Sequence, residues 1–309
     1  MSLRSKLHNQ TAPVIFYEII PPTISDSAEL DDRLRLVGEV AGMVDVINIP
    51  EIREEVARGA RSGKLRERME PRAFAKAIRD AHKLETAVNR VTVHADREAQ
   101  LRWLQASASE YGVQDLILVG GESNKFTYPG PSVAETARLA KLAGQNFLLG
   151  GITIPSREDE YKRVIAKHSC GIEFFTTQVL LESAHTIALL RALEGVAARL
   201  ILSFTPISHP RDLPFLEWLG VTVPGEVAAQ FTNEQNPEAA ARASIELAKN
   251  ILRDVIAQAT PRTPALGIQV ERITKRNSAA AVRMLAELAD FYPKLLRDRA
   301  ASLSSSQMR

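Results

Sequence analysis

Residues 14–22 read Val14-Ile15-Phe16-Tyr17-Glu18-Ile19-Ile20-Pro21-Pro22. An apolar run closed by two prolines, which cannot continue a ladder, predicts a buried β-strand. Glu18 is the exception within it. Burying a carboxylate costs several kcal/mol unless it is paired or protonated, and burial raises its pKa. That is how an enzyme makes a proton donor that works near neutral pH. A structural acid paired with an arginine is the plainer reading of an isolated case. Here the other polar groups near strand ends favour the catalytic one.

Seven further apolar, β-branched runs follow, at 43–49, 86–93, 115–121, 147–153, 174–179, 199–206 and 265–272. Between them lie Ala/Leu/Glu/Arg-rich stretches of helical length, among them 97–111, 133–143, 157–168, 184–195 and 237–258, with 277–298 after the last strand. Strands apolar on both faces, alternating with helices, are the signature of a parallel α/β sheet. Eight such units in 309 residues predict a (β/α)8 TIM barrel as a single domain over 1–309, with a frayed tail at 299–309. An open doubly wound sheet fits less well, because no Gly-x-Gly-x-x-Gly fingerprint follows the first strand. A long charged connection, 51–71, follows the second strand.

Composition narrows the function. A net charge of +2 gives no reason to expect nucleic acid or a membrane surface. One cysteine, Cys170, excludes an internal disulfide and a cysteine-built zinc site, and it reads as a buried structural thiol. The six histidines form no HxH or HxxxH pair, so no metal is expected. No Gly-x-Ser-x-Gly elbow supports a hydrolase. With no long apolar run and a polar start, a cytoplasmic location is the expectation.

In a barrel, polar residues at the C-terminal ends of strands gather at one mouth. The candidates are Glu18, Thr92, His94, Glu122, Gln178, Ser203, Thr205 and Glu271. His94 reads as a loop residue rather than a ligand. Three acids and an amide with few bases among them suit a neutral heterocycle rich in hydrogen-bond donors. A phosphate site would need lysines, arginines or a glycine-rich helix start.

With these residues in place, the chain resembles the methylenetetrahydrofolate reductase family from about Phe16 to the last helix. Four stretches carry the resemblance: Phe-Tyr-Glu-Ile-Ile-Pro-Pro at 16–22, Leu-Ile-Leu-Val-Gly-Gly-Glu at 116–122, the segment 154–178 ending Phe-Phe-Thr-Thr-Gln, and Leu-Gly-Val-Thr-Val-Pro-Gly-Glu-Val at 219–227. The resemblance implies reduction of 5,10-methylenetetrahydrofolate to 5-methyltetrahydrofolate with NAD(P)H, a step of one-carbon metabolism that feeds methionine biosynthesis. It makes Glu18 the acid that protonates N10 and opens the imidazolidine ring. Glu122 stands where the family has a pterin-binding aspartate, and Gln178 matches the glutamine that hydrogen-bonds the pterin. Glu271 and Ser203 join them as folate-binding candidates, while Thr92, Glu54, Glu55 and Tyr128 are assigned to the nicotinamide.

FAD is usual in this family, but the chain departs where flavin is held. Gly120-Gly121-Glu122 replaces Arg-Gly-Asp, Arg90 replaces a histidine, and the connection between Pro155 and Gly171 is short. In this it is similar to the flavin-independent reductases of mycobacteria. Two other readings stay open: a pterin-binding methyltransferase barrel, and a non-catalytic folate-binding partner subunit. The expected partner is a tetrahydrofolate derivative, and a homo-oligomer is compatible with the sequence.

Overall fold

The computed structural model describes residues 2–53, 66–121, 126–234, 236–274 and 276–307. Eight parallel strands follow one another in hydrogen-bonded order and close into a barrel: β1 (Ile15–Glu18), β2 (Val46–Ile49), β3 (Glu85–Val91), β4 (Asp115–Val119), β5 (Leu148–Thr153), β6 (Phe174–Val179), β7 (Arg199–Phe204) and β8 (Ala265–Glu271). Each lies within the run expected for it, β3 starting one residue early. The helices are α1 (Leu3–His8), α2 (Ser27–Val40), α3 (Pro71–His82), α4 (Arg97–Ser109), α5 (Val133–Leu142), α6 (Glu160–Ser169), α7 (Ala184–Ala192), α8 (Asp212–Trp218), α9 (Gly225–Asn233), α10 (Pro237–Gln258) and α11 (Ser278–Gln307).

Local chemistry sets several of these starts. Ser132 and Glu135 form a reciprocal capping box at α5. Pro71 and Pro237 open α3 and α10, behind the capping side chains of Glu70 and Asn236.

The chain gathers into two compact units. One comprises Glu18–Ile152 and Arg163–Phe175. Its strands pair in register, Val46 opposite Glu85, Ala87 opposite Asp115, and Asp115 opposite Leu148. Ile47, Val88, Leu116 and Phe174 are fully buried there. Gly150 in β5 has no side chain because the Phe174 ring fills that space. The Arg72 guanidinium lies 4.6 Å from the Trp103 ring centroid and 4.5 Å from that of Tyr111, tying α3 to the end of α4. The last residues of the charged connection dock on the segment after β1. Arg68 donates to the Pro21 carbonyl at 2.8 Å, and Met69 N–H to that of Pro22 at 2.8 Å.

The other unit comprises Met1–Tyr17, Thr153–Lys162 and Thr176–Arg309. In it β7 and β8 pair from Arg199 opposite Ala265 to Phe204 opposite Val270. The polar opening of the chain is a helix: Ser2 caps α1, and Leu3 and Leu7, one helical turn apart, are buried. Arg199 is fully buried and donates to the carbonyls of Leu7 (3.1 Å), Ala12 (2.9 Å) and Asn9. Between β7 and α10, helices α8 and α9 bury Leu213, Leu216 and Phe231 against Val179 and Leu181.

Candidate active site

In the first unit, Glu18 is the last residue of β1 and half-buried. The expected burial is therefore incomplete. The strand stops at Glu18, and Ile19 N–H already bonds to the Asn48 carbonyl at 2.9 Å. The carboxyl accepts a hydrogen bond from Asn48 Nδ2 at 3.1 Å. Asn48 is 1% exposed, a lone amide in the otherwise apolar β2 run Val-Ile-Asn-Ile. Sequence reading missed it, although an amide inside a fully buried strand is itself a signal.

Glu51 is a second omission. It accepts from Val91 N–H at 2.7 Å and from Arg90 at 3.1 Å, and it pairs with Arg53, holding the connection after β2 against the end of β3. Arg90 is buried, bonds Gln100 Oε1 at 3.0 Å and stacks 4.6 Å from the Trp103 centroid. Desolvation draws its guanidinium below the usual range, with Glu51 opposing.

Thr92 lies one residue past β3, in a 3-10 turn, and is fully buried. Its hydroxyl donates to the Val119 carbonyl at 3.3 Å, and its own carbonyl accepts from Gln100 Nε2. Tyr128 meets His94 edge-on at 5.7 Å and Phe126 at 6.4 Å. A Cβ added to Gly121 would fall within the Tyr128 ring, and one added to Gly130 would fall on the Ala95 carbonyl. Gly121 is thus a seat for an aromatic ring. Glu54, Glu55 and Glu122 lie outside the described residues.

In the second unit, Gln178 is next to last in β6, and its Nε2 donates to the Leu219 carbonyl at 2.9 Å. This bond joins β6 to the turn after α8 and fixes the amide, so Oε1 is the atom left to present. Beside Gln178 lies a cavity of about 350 Å³, walled by Ile154, Pro155, Leu180, Leu181 and Pro224. Buried Glu160 accepts from Thr153 Oγ1 (3.0 Å) and Ile154 N–H (3.1 Å), pinning that wall. At the cavity edge His185 Nδ1 lies 2.7 Å from Glu182.

Ser203 is fully buried in β7, and its N–H bonds Thr177 Oγ1 at 2.9 Å. Thr205 Oγ1 donates to the Glu271 carbonyl at 2.9 Å. Glu271 ends β8, half-buried, and accepts from Gln269 Nε2 at 3.0 Å. Desolvation pushes its carboxyl up to about 7, partly offset by hydrogen bonds from Gln269 and Ser203. Gln269 was not singled out from the sequence, yet it stands two residues from Glu271 and so on the same face of β8.

Cys170 is buried. Among the described residues no three His, Cys, Asp or Glu gather as metal ligands would. No described helix is long and apolar enough to cross a membrane.

No family model matches the chain, and no curated protein matches it. Among solved structures it is similar to an uncharacterised protein from Clostridium thermocellum that binds two copies of 5-methyl-5,6,7,8-tetrahydrofolic acid. The two share 17% identity and a TM-score of 0.75, over 93% of this chain and 99% of that one. At that identity the likeness shows the fold.

Proposed function

We propose that this chain reduces 5,10-methylenetetrahydrofolate to 5-methyltetrahydrofolate with hydride from NAD(P)H. The observation that carries the reading is the Glu18 carboxyl at the C-terminal end of β1, where it accepts a hydrogen bond from the buried Asn48 amide. Folate binding by a protein of the same fold supports it. Such a carboxyl can hand a proton to N10. The bond from the methylene carbon to N10 then breaks, and its electrons stay on nitrogen as the iminium forms at N5. Hydride from the nicotinamide C4 adds to the methylene carbon, oxidising the nicotinamide and leaving a methyl group on N5.

These residues argue against the flavin of the resembling family. Arg90, which replaces a family histidine, is buried among Glu51, Gln100 and Trp103. Gly120 offers no side-chain donor, and Gly121 lies beneath Tyr128. Direct transfer requires nicotinamide and folate to be bound together, with reacting carbons about 3–3.5 Å apart. The purified protein is expected to be colourless and to give intersecting initial-rate lines. Yellow protein whose FAD is bleached by NAD(P)H and restored by methylenetetrahydrofolate would overturn this, since a bound carrier gives ping-pong kinetics.

A folate-binding protein without turnover is the second reading, favoured by the neighbour, which is described only as a binder. Both readings give Gln178 the same part. Its amide is clamped by the Leu219 carbonyl, so Oε1 meets the ring N–H groups. Gln178→Ala should weaken 5-methyltetrahydrofolate binding by about 1–3 kcal/mol, the effect of leaving a buried donor unpaired. Calorimetric titration measures this, and unchanged affinity would remove Gln178 from the site. Turnover of methylenetetrahydrofolate with NAD(P)H separates the two readings.

A further inference from the structure

β8 sets Gln269 and Glu271 on one face, and the strand register puts Ser203 of β7 beside Gln269. The Gln269 amide donates to Glu271 Oε1 at 3.0 Å and lies 3.5 Å from Ser203 Oγ. Thr205 Oγ1 holds the Glu271 backbone carbonyl at 2.9 Å. Thr205 thus fixes the backbone and Gln269 one carboxyl oxygen, and the Ser203 hydroxyl also bonds the carboxyl.

The charges around it are occupied elsewhere. On α11, which packs against β8, Arg283 pairs with Glu238, Glu287 with Lys249, and Asp290 with Lys294. Past the end of β8, Arg272 reaches Ser278 Oγ at 3.4 Å and Arg276 pairs with Asp212. To this cluster β7 contributes only the hydroxyls of Ser203 and Thr205. Val14, just before β1, accepts Ile268 N–H with its carbonyl and brings no charge. Among the described residues no lysine or arginine pairs with Glu271.

We propose that Glu271 works as an uncharged acid that donates a hydrogen bond to the bound ring: Gln269 keeps Oε1 as an acceptor, and Oε2 presents its hydrogen to a carbonyl or imine nitrogen of the ligand. Desolvation supports this by pushing the carboxyl up to about 7, so that below neutrality the acid form prevails. The inference rests on the reading of this chain as a folate binder. A tetrahydropterin carries ring N–H donors, which acceptors such as Gln178 can meet, and also a ring carbonyl. An acceptor-only site would leave that carbonyl unmatched, and Glu271 supplies the missing donor.

The test is calorimetric titration of the intact protein with 5-methyltetrahydrofolate from about pH 5.5 to about pH 9, on wild type, Glu271→Gln and Glu271→Ala. Binding that needs the acid form is level below the midpoint and falls about tenfold per pH unit above it. Glu271→Gln, which donates an N–H at every pH, should bind like the acid limb of wild type without that fall. Glu271→Ala should be at least ~10-fold weaker throughout. The same titration on Glu18→Gln shows whether the break survives without the acid of β1, as the proposal requires.

Affinity that rises with pH, or is flat with Glu271→Gln as weak as Glu271→Ala, would overturn it. If wild type binds no folate, the reading under Proposed function fails. The carboxyl ¹³C signal of Glu271 in the ligand-free protein, assigned by its loss in Glu271→Gln, then decides. A midpoint near neutrality keeps Glu271 as an uncharged donor for another ring ligand, and an ordinary carboxylate midpoint ends the inference.

Discussion

Glu18→Gln is expected to lower turnover at least about 100-fold while leaving fold and folate affinity in place. Glutamine has the size of glutamate, and its oxygen can still accept from Asn48 Nδ2, which now bonds the carboxyl at 3.1 Å. What it lacks is a proton to release. Without that proton N10 leaves as an amide anion or waits for water. A 100-fold loss corresponds to about 2.7 kcal/mol of transition-state stabilisation. The measurement is kcat under saturating methylenetetrahydrofolate and NAD(P)H, beside folate affinity by calorimetry. Near-normal kcat would end the assignment of Glu18. A matching loss of affinity would make it a binding group instead.

The largest stability effect is expected at the opposite end of a strand. Arg199 begins β7, is fully buried, and reaches three carbonyls, at Leu7, Asn9 and Ala12. Those acceptors close the turn after α1, and the buried Arg199 guanidinium ties all three to the start of β7. Arg199→Ala removes all three bonds and opens a cavity, for a loss of about 3–5 kcal/mol. Arg199→Lys should recover only part, because one ammonium cannot copy a planar fork. Urea unfolding gives the number. A loss below about 1 kcal/mol would mean that the N-terminal segment does not depend on this arginine.

The strands were legible because each is an apolar run too short for a helix and bounded by turn residues. The pair α8 and α9 was not, because Pro214, Gly220, Pro224 and Gly225 break the periodicity that marks a helix. What holds them is tertiary: Phe231, Leu213 and Leu216 in a shared cluster, and Asp212 accepting from the N–H groups of Ser208 and His209 at 3.0 Å.

The polar candidates were legible as residue types, and their partners were not. Gln178 bonds a carbonyl 41 positions away, Glu51 bonds an N–H 40 positions away, and Thr92 turns its hydroxyl to a carbonyl 27 positions away. No local pattern announces such pairings. Glu18 stood out as a charge in an apolar run, but the run does not show that β1 ends on it. Asn48 and Gln269 were overlooked because amides in apolar runs look less anomalous than acids.

The seat that Gly121 makes for Tyr128 also bears on how such a chain can vary. Any side chain at 121 evicts the ring, and a small residue at 128 leaves a bare patch of backbone beneath it. The two positions therefore form a single unit of inheritance, in which a bulkier 121 is tolerated only beside a reduced 128. Among descendants of this sequence they should drift together or stay fixed together, seven residues apart and indifferent to what lies between them.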